Sequence, residues 1–232
     1  MRNALVTGAS GTLGRAVVAA LVADGLCVVG TGRRSGVELP GATYVAGDLR
    51  DAAFRASLVP EDAPPLVFVH CAGHRFTYAR FHTFAAADLD GLRAIDEDAF
   101  RDLAARCLPA MMGARFGRIV AITSLASKIA GPGSAPYASV KAAVEGLVRG
   151  LAVDYGRFGI TANAVAPGAF EGERLSERGA DGARLAEGTV VQRLARPEEV
   201  AAPVAFLCSD RASYVTGQTL VVAGGADLMA RW

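Results

Sequence analysis

The sequence lacks a charge imbalance, a metal-binding cysteine pattern and a long apolar run, and each absence excludes a class of function. Its formal net charge is +1 over 232 residues, with opposite charges interspersed, so the composition gives no indication of nucleic-acid binding. No apolar stretch approaches the roughly 20 residues of a membrane-spanning helix. Because the first predicted strand starts at Asn3, we expect no signal peptide and predict a cytoplasmic protein.

Cysteine is scarce, and its four copies are scattered. Cys27, Cys71, Cys107 and Cys208 all lie in apolar stretches and lack the paired spacing of a metal site. We therefore predict four buried free thiols and no bound metal.

The sequence does contain enough apolar residues for a large core. Hydrophobic residues make up 52% of a chain whose length suits a single domain, residues 1–232. Short apolar runs, typical of buried parallel strands, alternate with segments of helical periodicity. The predicted strands after the first are 26–31, 43–46, 66–69, 118–123 and 219–222, and the predicted helices include 15–23, 51–58, 88–112 and 137–155. This alternation predicts an α/β fold, a doubly wound parallel sheet with helices on both faces.

The stretch from residue 118 to residue 141 carries a chemical pattern. Ser124 would follow a buried strand, at the edge where doubly wound sheets place their ligands. Tyr137 and Lys141 fall four apart on a helix and share one face. A free phenol has a pKa of about 10, and a lysine ammonium one turn away favours the phenolate. With a serine to donate to a carbonyl oxygen, this trio suits proton transfer at a carbonyl, although Tyr-x-x-x-Lys also occurs on ordinary helices.

A glycine-rich turn opens the chain, between the first strand and the first helix. Such glycines let the backbone approach a pyrophosphate that sits at the helix N-terminus. The candidate cofactor contacts in this turn are Gly8, Ser10, Gly11, Thr12, Leu13 and Gly14. After the second strand, where an NAD-binding fold usually has an acidic residue, the chain has Arg33 and Arg34. Two guanidinium groups suit the 2′-phosphate of NADP(H), and a solvated loop is the alternative.

Together these motifs resemble the short-chain dehydrogenase/reductase family over nearly the whole chain. The turn 7–14 matches the family's glycine motif except at its middle glycine, where Thr12 stands. Ser124, Tyr137 and Lys141 match its serine and its Tyr-x-x-x-Lys. The similarity extends to 163–168, 196–200 and 209–218. It implies a Rossmann-like oxidoreductase in which Ser124 polarises a carbonyl, Tyr137 protonates it, and Lys141 favours the phenolate and holds the nicotinamide ribose.

The resemblance also implies further cofactor contacts. These would be Asp48, Leu49, Cys71, Ala72, Gly73, Pro167 and Gly168, together with Tyr137 and Lys141. Asp48 could equally cap the helix 51–58. The loop 74–90, rich in aromatic residues and arginines, would wall the substrate pocket or pack in an oligomer interface, and 171–187 is expected to be a mobile lid.

Further positions, besides Thr12, depart from the family pattern. His70 and Cys71 stand where the family has two asparagines, and we interpret His70 as a structural substitute. Counting back from Pro109, the active-site asparagine becomes Asp96. The carboxylate would alter the proton relay, weaken the enzyme, or only cap the helix, as Asp98 also could.

Within the family, the chain is most similar to the 3-oxoacyl-[acyl-carrier-protein] reductases of fatty acid or polyketide synthesis. In such reductases, arginines at the positions of Arg115 and Arg157 meet an acidic carrier protein. The resemblance also implies a homodimer or homotetramer. A reductase or dehydrogenase of a free small ketone or alcohol, and a catalytically weak partner in a hetero-oligomer, are the alternative functions.

Overall fold

The computed structural model describes residues 2–173, 175 and 182–229, in which strands and helices alternate as the sequence predicts. The strands are β1 Asn3–Thr7, β2 Cys27–Gly32, β3 Thr43–Ala46, β4 Val67–His70, β5 Gly117–Ile122, β6 Ile160–Pro167 and β7 Thr219–Val222. The helices are α1 Thr12–Ala23, α2 Ala52–Ser57, α3 Ala86–Leu92, α4 Ala99–Ala114, α5 Ala135–Tyr155, α6 Gly182–Glu187 and α7 Pro197–Cys208. A π-helical segment, Arg93–Asp98, joins α3 to α4.

The described strands form a seven-stranded sheet in the order β3-β2-β1-β4-β5-β6-β7, and neighbouring strands are parallel. The strand order reverses between β1 and β4, since β2 and β3 lie on one side of β1 and the later strands on the other. Ligands of such sheets bind at the carboxyl ends of the strands beside this reversal. The predicted doubly wound sheet is therefore confirmed.

Two apolar layers cover the two faces of the sheet. Successive side chains of a strand point to opposite faces, so Val6 of β1 packs in one layer and Leu5 in the other. The first layer includes α1 and α7, and the second includes α4 and α5. Because both faces are covered, the strands are continuous apolar runs in the sequence. Among the helices of the described ranges, none has the length and apolar character needed to cross a bilayer.

Several predicted boundaries move slightly. Helix α1 begins at Thr12 rather than residue 15, because Gly11 already occupies the N-cap position. Strands β2 and β4 each begin and end one residue later than predicted, whereas β3 and β7 have the predicted bounds. The segment 33–42, which is too short for a crossover helix, is a loop, in agreement with the sequence. Of the expected lid, 171–187, residues 174 and 176–181 lie outside the described part of the chain.

The side chains of Asp48 and Cys27 differ from what the sequence predicted. Asp48 does not cap α2: Asp51, immediately before the helix, accepts the N–H of Ala53 at 2.8 Å, whereas the Asp48 carboxylate accepts the N–H of Arg50 at 2.9 Å. Asp48 lies too far before the first helical residue to reach its N–H groups. Cys27 is exposed rather than buried, because it is the first residue of β2, where the strand begins at the rim of the sheet. All four cysteines lie within the described ranges and are free thiols.

Candidate active site

The predicted catalytic residues lie on two adjacent elements at the carboxyl edge of the sheet. Ser124 follows β5, and its Oγ accepts the N–H of Ala126 at 3.2 Å, which begins a short 3₁₀ turn. Helix α5 starts at Ala135 with a proline in its first turn, a position that proline favours. Tyr137 and Lys141 therefore both lie near the start of α5, one helical turn apart.

Lys141 connects the helix to the strand and to the π-helical segment. Its Nζ donates to the carbonyl oxygen of Ile122, the last residue of β5, at 2.9 Å. The same Nζ lies 2.8 Å from Asp96 Oδ1 and 5.8 Å from the centre of the Tyr137 ring. The side chains of Lys141 and Asp96 are only 6% and 1% exposed. The structure thus places a buried ion pair one helical turn from Tyr137.

Asp96 faces the site rather than the end of a helix. The helical backbone runs through Arg93–Asp98 without a break, and neither Asp96 nor Asp98 caps it. The two Asp96 oxygens have separate partners: Oδ1 faces the Lys141 ammonium, and Oδ2 accepts the N–H of His74 at 2.8 Å. The helix-cap interpretation was therefore wrong, whereas Asp96 does lie beside Lys141, as the register counted from Pro109 predicts.

His70 holds three elements together. Its Nε2 lies 2.9 Å from the carbonyl oxygen of Ile95, which can only accept, so Nε2 carries the proton. Its Nδ1 then accepts from Thr7 Oγ1 at 2.9 Å, and Thr7 Oγ1 accepts the N–H of Ala72 at 3.3 Å. Burial, followed by the charge of Lys141, lowers the pKa of His70 to about 4. A neutral histidine thus braces β1, β4 and the π-helical segment, which supports its interpretation as a structural substitute.

The pKa of His70 gives the fold an acid sensitivity. Between the folded pKa of about 4 and the ordinary pKa of 6.5, His70 binds a proton only in the unfolded chain. The free energy of unfolding therefore decreases as pH falls through that window. We expect the loss to reach about 3 kcal/mol. Denaturant titrations from pH 7 to pH 4 would measure it. A His70→Asn variant should show a flatter pH profile, and identical profiles would contradict the assignment.

The loop after β4 contributes an aromatic surface to the site. The ring of Phe76 stacks on that of Tyr137, with 4.7 Å between their centres and 26° between their planes. Phe76 is buried with Leu92 and Val140, and the partly buried Phe84 packs against this cluster. Phe76 of the loop 74–90 therefore packs against a predicted catalytic residue, and the substrate-pocket and oligomer-interface interpretations of this loop stay predictions.

The glycine turn has the shape that a dinucleotide requires. Gly8 has a φ of +67°, and a Cβ there would lie 2.6 Å from the backbone N of Ala72. A Cβ on Gly14 would lie 2.2 Å from the carbonyl oxygen of Gly8. Gly11 offers no side chain to the first N–H groups of α1, so these remain suited to phosphate oxygens. These features fit a bound dinucleotide.

The other predicted cofactor contacts also lie at this edge. Cys71, Ala72 and Gly73 follow β4, Asp48 and Leu49 follow β3, and Pro167 ends β6. Burial raises the pKa of the Cys71 thiol to about 12, so Cys71 is not a nucleophile. Within the described residues, no cluster of His, Cys, Asp and Glu could hold a metal ion.

The arginine pair after β2 has a partner that the sequence did not predict. Arg34 Nη2 lies 2.8 Å from Glu173 Oε2, and both side chains are about half exposed. The hydrogen bond and charge of Arg34 lower the pKa of Glu173, with smaller contributions from Arg75 and Arg15. Arg34 thus pairs with Glu173 near the predicted phosphate site, and the more distant charges of Arg75 and Arg15 act on the same carboxylate. Glu173 is 139 residues from Arg34, so no local pattern could reveal this contact.

The two arginines expected to meet a carrier protein lie elsewhere. Arg115 follows α4, Arg157 follows α5, and Arg115 Nη2 donates to the carbonyl oxygen of Arg157 at 3.3 Å. They precede β5 and β6, at the edge of the sheet opposite Ser124. A six-residue strand such as β5 spans about 20 Å, so these arginines are distant from the catalytic edge of the same chain.

Known proteins resemble this chain over almost its whole length. The family model described as Enoyl-(Acyl carrier protein) reductase matches residues 8–227. An A-factor type γ-butyrolactone 1′-reductase from Streptomyces virginiae is 34% identical over 98% of this chain and 96% of its own. A 3-oxoacyl-[acyl-carrier-protein] reductase from Pseudomonas aeruginosa is 33% identical over 96% of each chain.

A solved structure supports the same relationship. The crystal structure of a 3-oxoacyl (acyl-carrier-protein) reductase from Agrobacterium tumefaciens, with NADP bound, has a TM-score of 0.88 and 28% identity to this chain. The match covers 97% of this chain and 93% of the other. The protein therefore belongs to the short-chain dehydrogenase/reductase family, whose members are oxidoreductases that act on CH–OH and C=O groups.

Proposed function

We propose that this protein uses NADPH to reduce a carbonyl to an alcohol, and that its substrate is a 3-oxoacyl thioester on an acyl carrier protein. The contacts of Lys141 are the observation that best supports this proposal. Its ammonium contacts the carbonyl oxygen of Ile122 and the carboxylate of Asp96. Lys141 is one helical turn from Tyr137, and Ile122 is two residues before Ser124. This arrangement suits a phenol that transfers a proton, and the carrier-protein part rests on the similarity to named reductases.

Each residue of the trio has a distinct role in the proposal. Bound NADPH supplies the hydride. The Ser124 oxygen already accepts the N–H of Ala126, so its own proton remains available to the carbonyl oxygen that gains charge. The Tyr137 hydroxyl delivers the proton that completes the alcohol, and the Lys141 ammonium lies one helical turn away, 5.8 Å from the centre of the Tyr137 ring.

The preference for NADPH rests on Arg33 and Arg34. Both side chains are exposed and follow β2. An NAD-binding fold usually has a carboxylate at this place, which holds the ribose hydroxyls of NAD. Arg34 is already paired with Glu173, so a 2′-phosphate has to displace that carboxylate to make the same contact. Phosphate carries more charge than a carboxylate and offers three oxygens, which favours the exchange.

Carrier-protein docking and assembly are further parts of the proposal. Because Arg115 and Arg157 lie far from Ser124 of their own chain, a carrier protein docked on them would serve the site of a neighbouring subunit. A homo-oligomer would provide that neighbour, and Val153 on α5 is 83% exposed and apolar, as an interface residue would be. The four free thiols suit a protein of the reducing cytoplasm.

A free cyclic ketone is the second candidate substrate. Phe76, stacked on Tyr137, is buried, but it also packs against the exposed ring of Tyr78, and an exposed aromatic surface suits a cyclic substrate. Two relatives are named for ring compounds, the γ-butyrolactone 1′-reductase and a cis-4-hydroxycyclohexanecarboxylate dehydrogenase from Sinomonas cyclohexanicum.

The function is tested by measuring the oxidation of NADPH or NADH by the purified protein in the presence of a carbonyl substrate. We expect turnover with NADPH to exceed that with NADH by at least about tenfold, since an Arg–phosphate contact is a strong charge-assisted bond. A 3-oxoacyl thioester on a carrier protein should react faster than the same acyl group on a small thiol or than cyclohexanone.

Two variants serve as controls for this experiment. Arg33→Asp should reduce or reverse the cofactor preference, and Arg115→Glu should slow only the carrier-protein substrate. Faster turnover of the free ketone would favour the second candidate. Tighter binding of NADH than of NADPH by the wild type would contradict the cofactor assignment, and binding of NADPH without turnover of any carbonyl would indicate a weak partner subunit.

A further inference from the structure

Glu145 is a buried carboxylate that the proposed mechanism does not use. It follows Lys141 by four residues and Tyr137 by eight, so α5 presents the three side chains on one face. Its side chain is 6% exposed. A buried carboxylate needs hydrogen-bond and charge partners, so the identity of those partners indicates what the residue is for.

The partners of Glu145 lie on both sides of Ser124 in the sequence. Thr123 Oγ1 donates to Glu145 Oε1 at 3.1 Å, and Ser127 Oγ lies 2.5 Å from the same oxygen. Lys128 Nζ is 3.5 Å from Oε2. One carboxylate thus contacts the residue before Ser124, and two residues shortly after it.

These contacts matter because Ser124 lies just beyond the hydrogen bonds of the sheet. The N–H of Thr123 donates to the carbonyl oxygen of Val165 at 2.8 Å, which attaches Thr123 to β6. Past that point, Ser127 Oγ contacts the carbonyl oxygen of Ser124 at 2.7 Å and Glu145 as well. The turn that bears Ser124 is therefore attached to α5 through Glu145.

We propose that Glu145 is a positioning residue that sets the Ser124 hydroxyl relative to Tyr137 and Lys141, an inference that rests on the carbonyl-reducing function proposed above. The residues that approach the carbonyl oxygen come from a turn and from a helix. Small displacements between such groups have large effects on rate. Glu145 couples the turn to the helix face that carries the proton donor.

Variants of Glu145 and its charge partner test this role. Glu145→Ala should lower kcat by about ten- to a hundredfold, because misplacement of about 1 Å can have an effect of that size. NADPH affinity should not change. Glu145→Gln keeps an acceptor at Oε1 for both hydroxyls and should restore kcat to within about threefold of the wild type. Lys128→Met, the matched control, removes only the ion pair and should have little effect.

A double variant separates positioning from a general loss of structure. If Glu145 acts through Ser124, then Glu145→Ala combined with Ser124→Ala should be no slower than Ser124→Ala alone. Multiplicative losses in the double variant would overturn the proposal. If Glu145→Ala does not fold, Ser127→Ala and Thr123→Val, each paired with Ser124→Ala, give the same comparison.

The proposed function can fail separately, in which case the wild type would reduce no carbonyl. Crystal structures of Glu145→Gln and Glu145→Ala then decide the positioning role. The proposal expects the Ser124 Oγ to be displaced in the alanine variant and to keep its place in the glutamine variant. An unmoved Ser124 in both variants would overturn it.

Discussion

Replacing Tyr137 with phenylalanine is expected to lower turnover by about a thousandfold and to leave NADPH binding unchanged, because a positioned acid of this kind contributes on that scale. Phenylalanine keeps the ring, so the stacking on Phe76 at 4.7 Å is preserved and only the hydroxyl is lost. Lys141 keeps Ile122 and Asp96 as partners. Steady-state rates at saturating substrate, with cofactor affinity from a fluorescence titration, would measure both quantities.

Phe76→Leu is the matched control for this experiment. It removes the aromatic contact with the Tyr137 ring and leaves the hydroxyl in place, so its main effect should be on KM. Turnover of Tyr137→Phe within a few-fold of the wild type would show that another group supplies the proton. The predicted role of Tyr137 would then be wrong, whatever the substrate.

The second large effect is expected at Asp96. Its two oxygens face two donors, the Lys141 ammonium and the N–H of His74. An asparagine, the residue of the family pattern, can offer an oxygen to only one of them and turns its NH₂ towards the other. It also leaves the buried ammonium without a counter-charge. We expect Asp96→Asn to lower the free energy of unfolding by about 3 kcal/mol, at the lower end of values for breaking a buried ion pair.

A double-mutant cycle with Lys141→Met would measure this ion pair. Each single variant leaves one buried charge unpaired, whereas the double variant removes both charges. The two losses of stability should therefore not add, and we expect a coupling energy of about 2 kcal/mol. Lys141 and Lys128 are the two lysines of the sequence, so ¹⁵N-lysine labelling gives a spectrum simple enough to assign. Asp96→Asn should shift the Lys141 signal and leave that of Lys128 in place. Additive losses with an unmoved signal would contradict the pairing.

The sequence was sufficient for features that depend on local order. The strand and helix pattern followed from apolar runs and periodicity, and the position of Asp96 followed from its fixed distance to Pro109 along one helix. Tyr137 and Lys141 share a face because four residues make about one turn. These relations hold along one continuous stretch of backbone, so tertiary packing did not need to be known.

Features that join distant segments could not be predicted. The pairing of Glu173 with Arg34 and the stacking of Phe76 on Tyr137 depend on how loops meet at one edge of the sheet. Glu145 could have been noticed from its spacing to Lys141, but its hydroxyl partners lie on another element. Cys27 was assigned to the core from its apolar neighbours in the sequence. Those neighbours do not reveal which end of a strand is exposed at the rim of the sheet.

Helix α5 carries three side chains of the site at intervals of four residues, Tyr137, Lys141 and Glu145. Each residue of an α-helix advances the direction of its side chain by about 100°. A single inserted or deleted residue between Tyr137 and Glu145 would therefore turn part of this set away from the site, whatever the identity of the residue. Beyond Glu145, the same change would leave these three side chains in place. At the positions between these three residues, we therefore expect a substitution to have a smaller effect than a change in length.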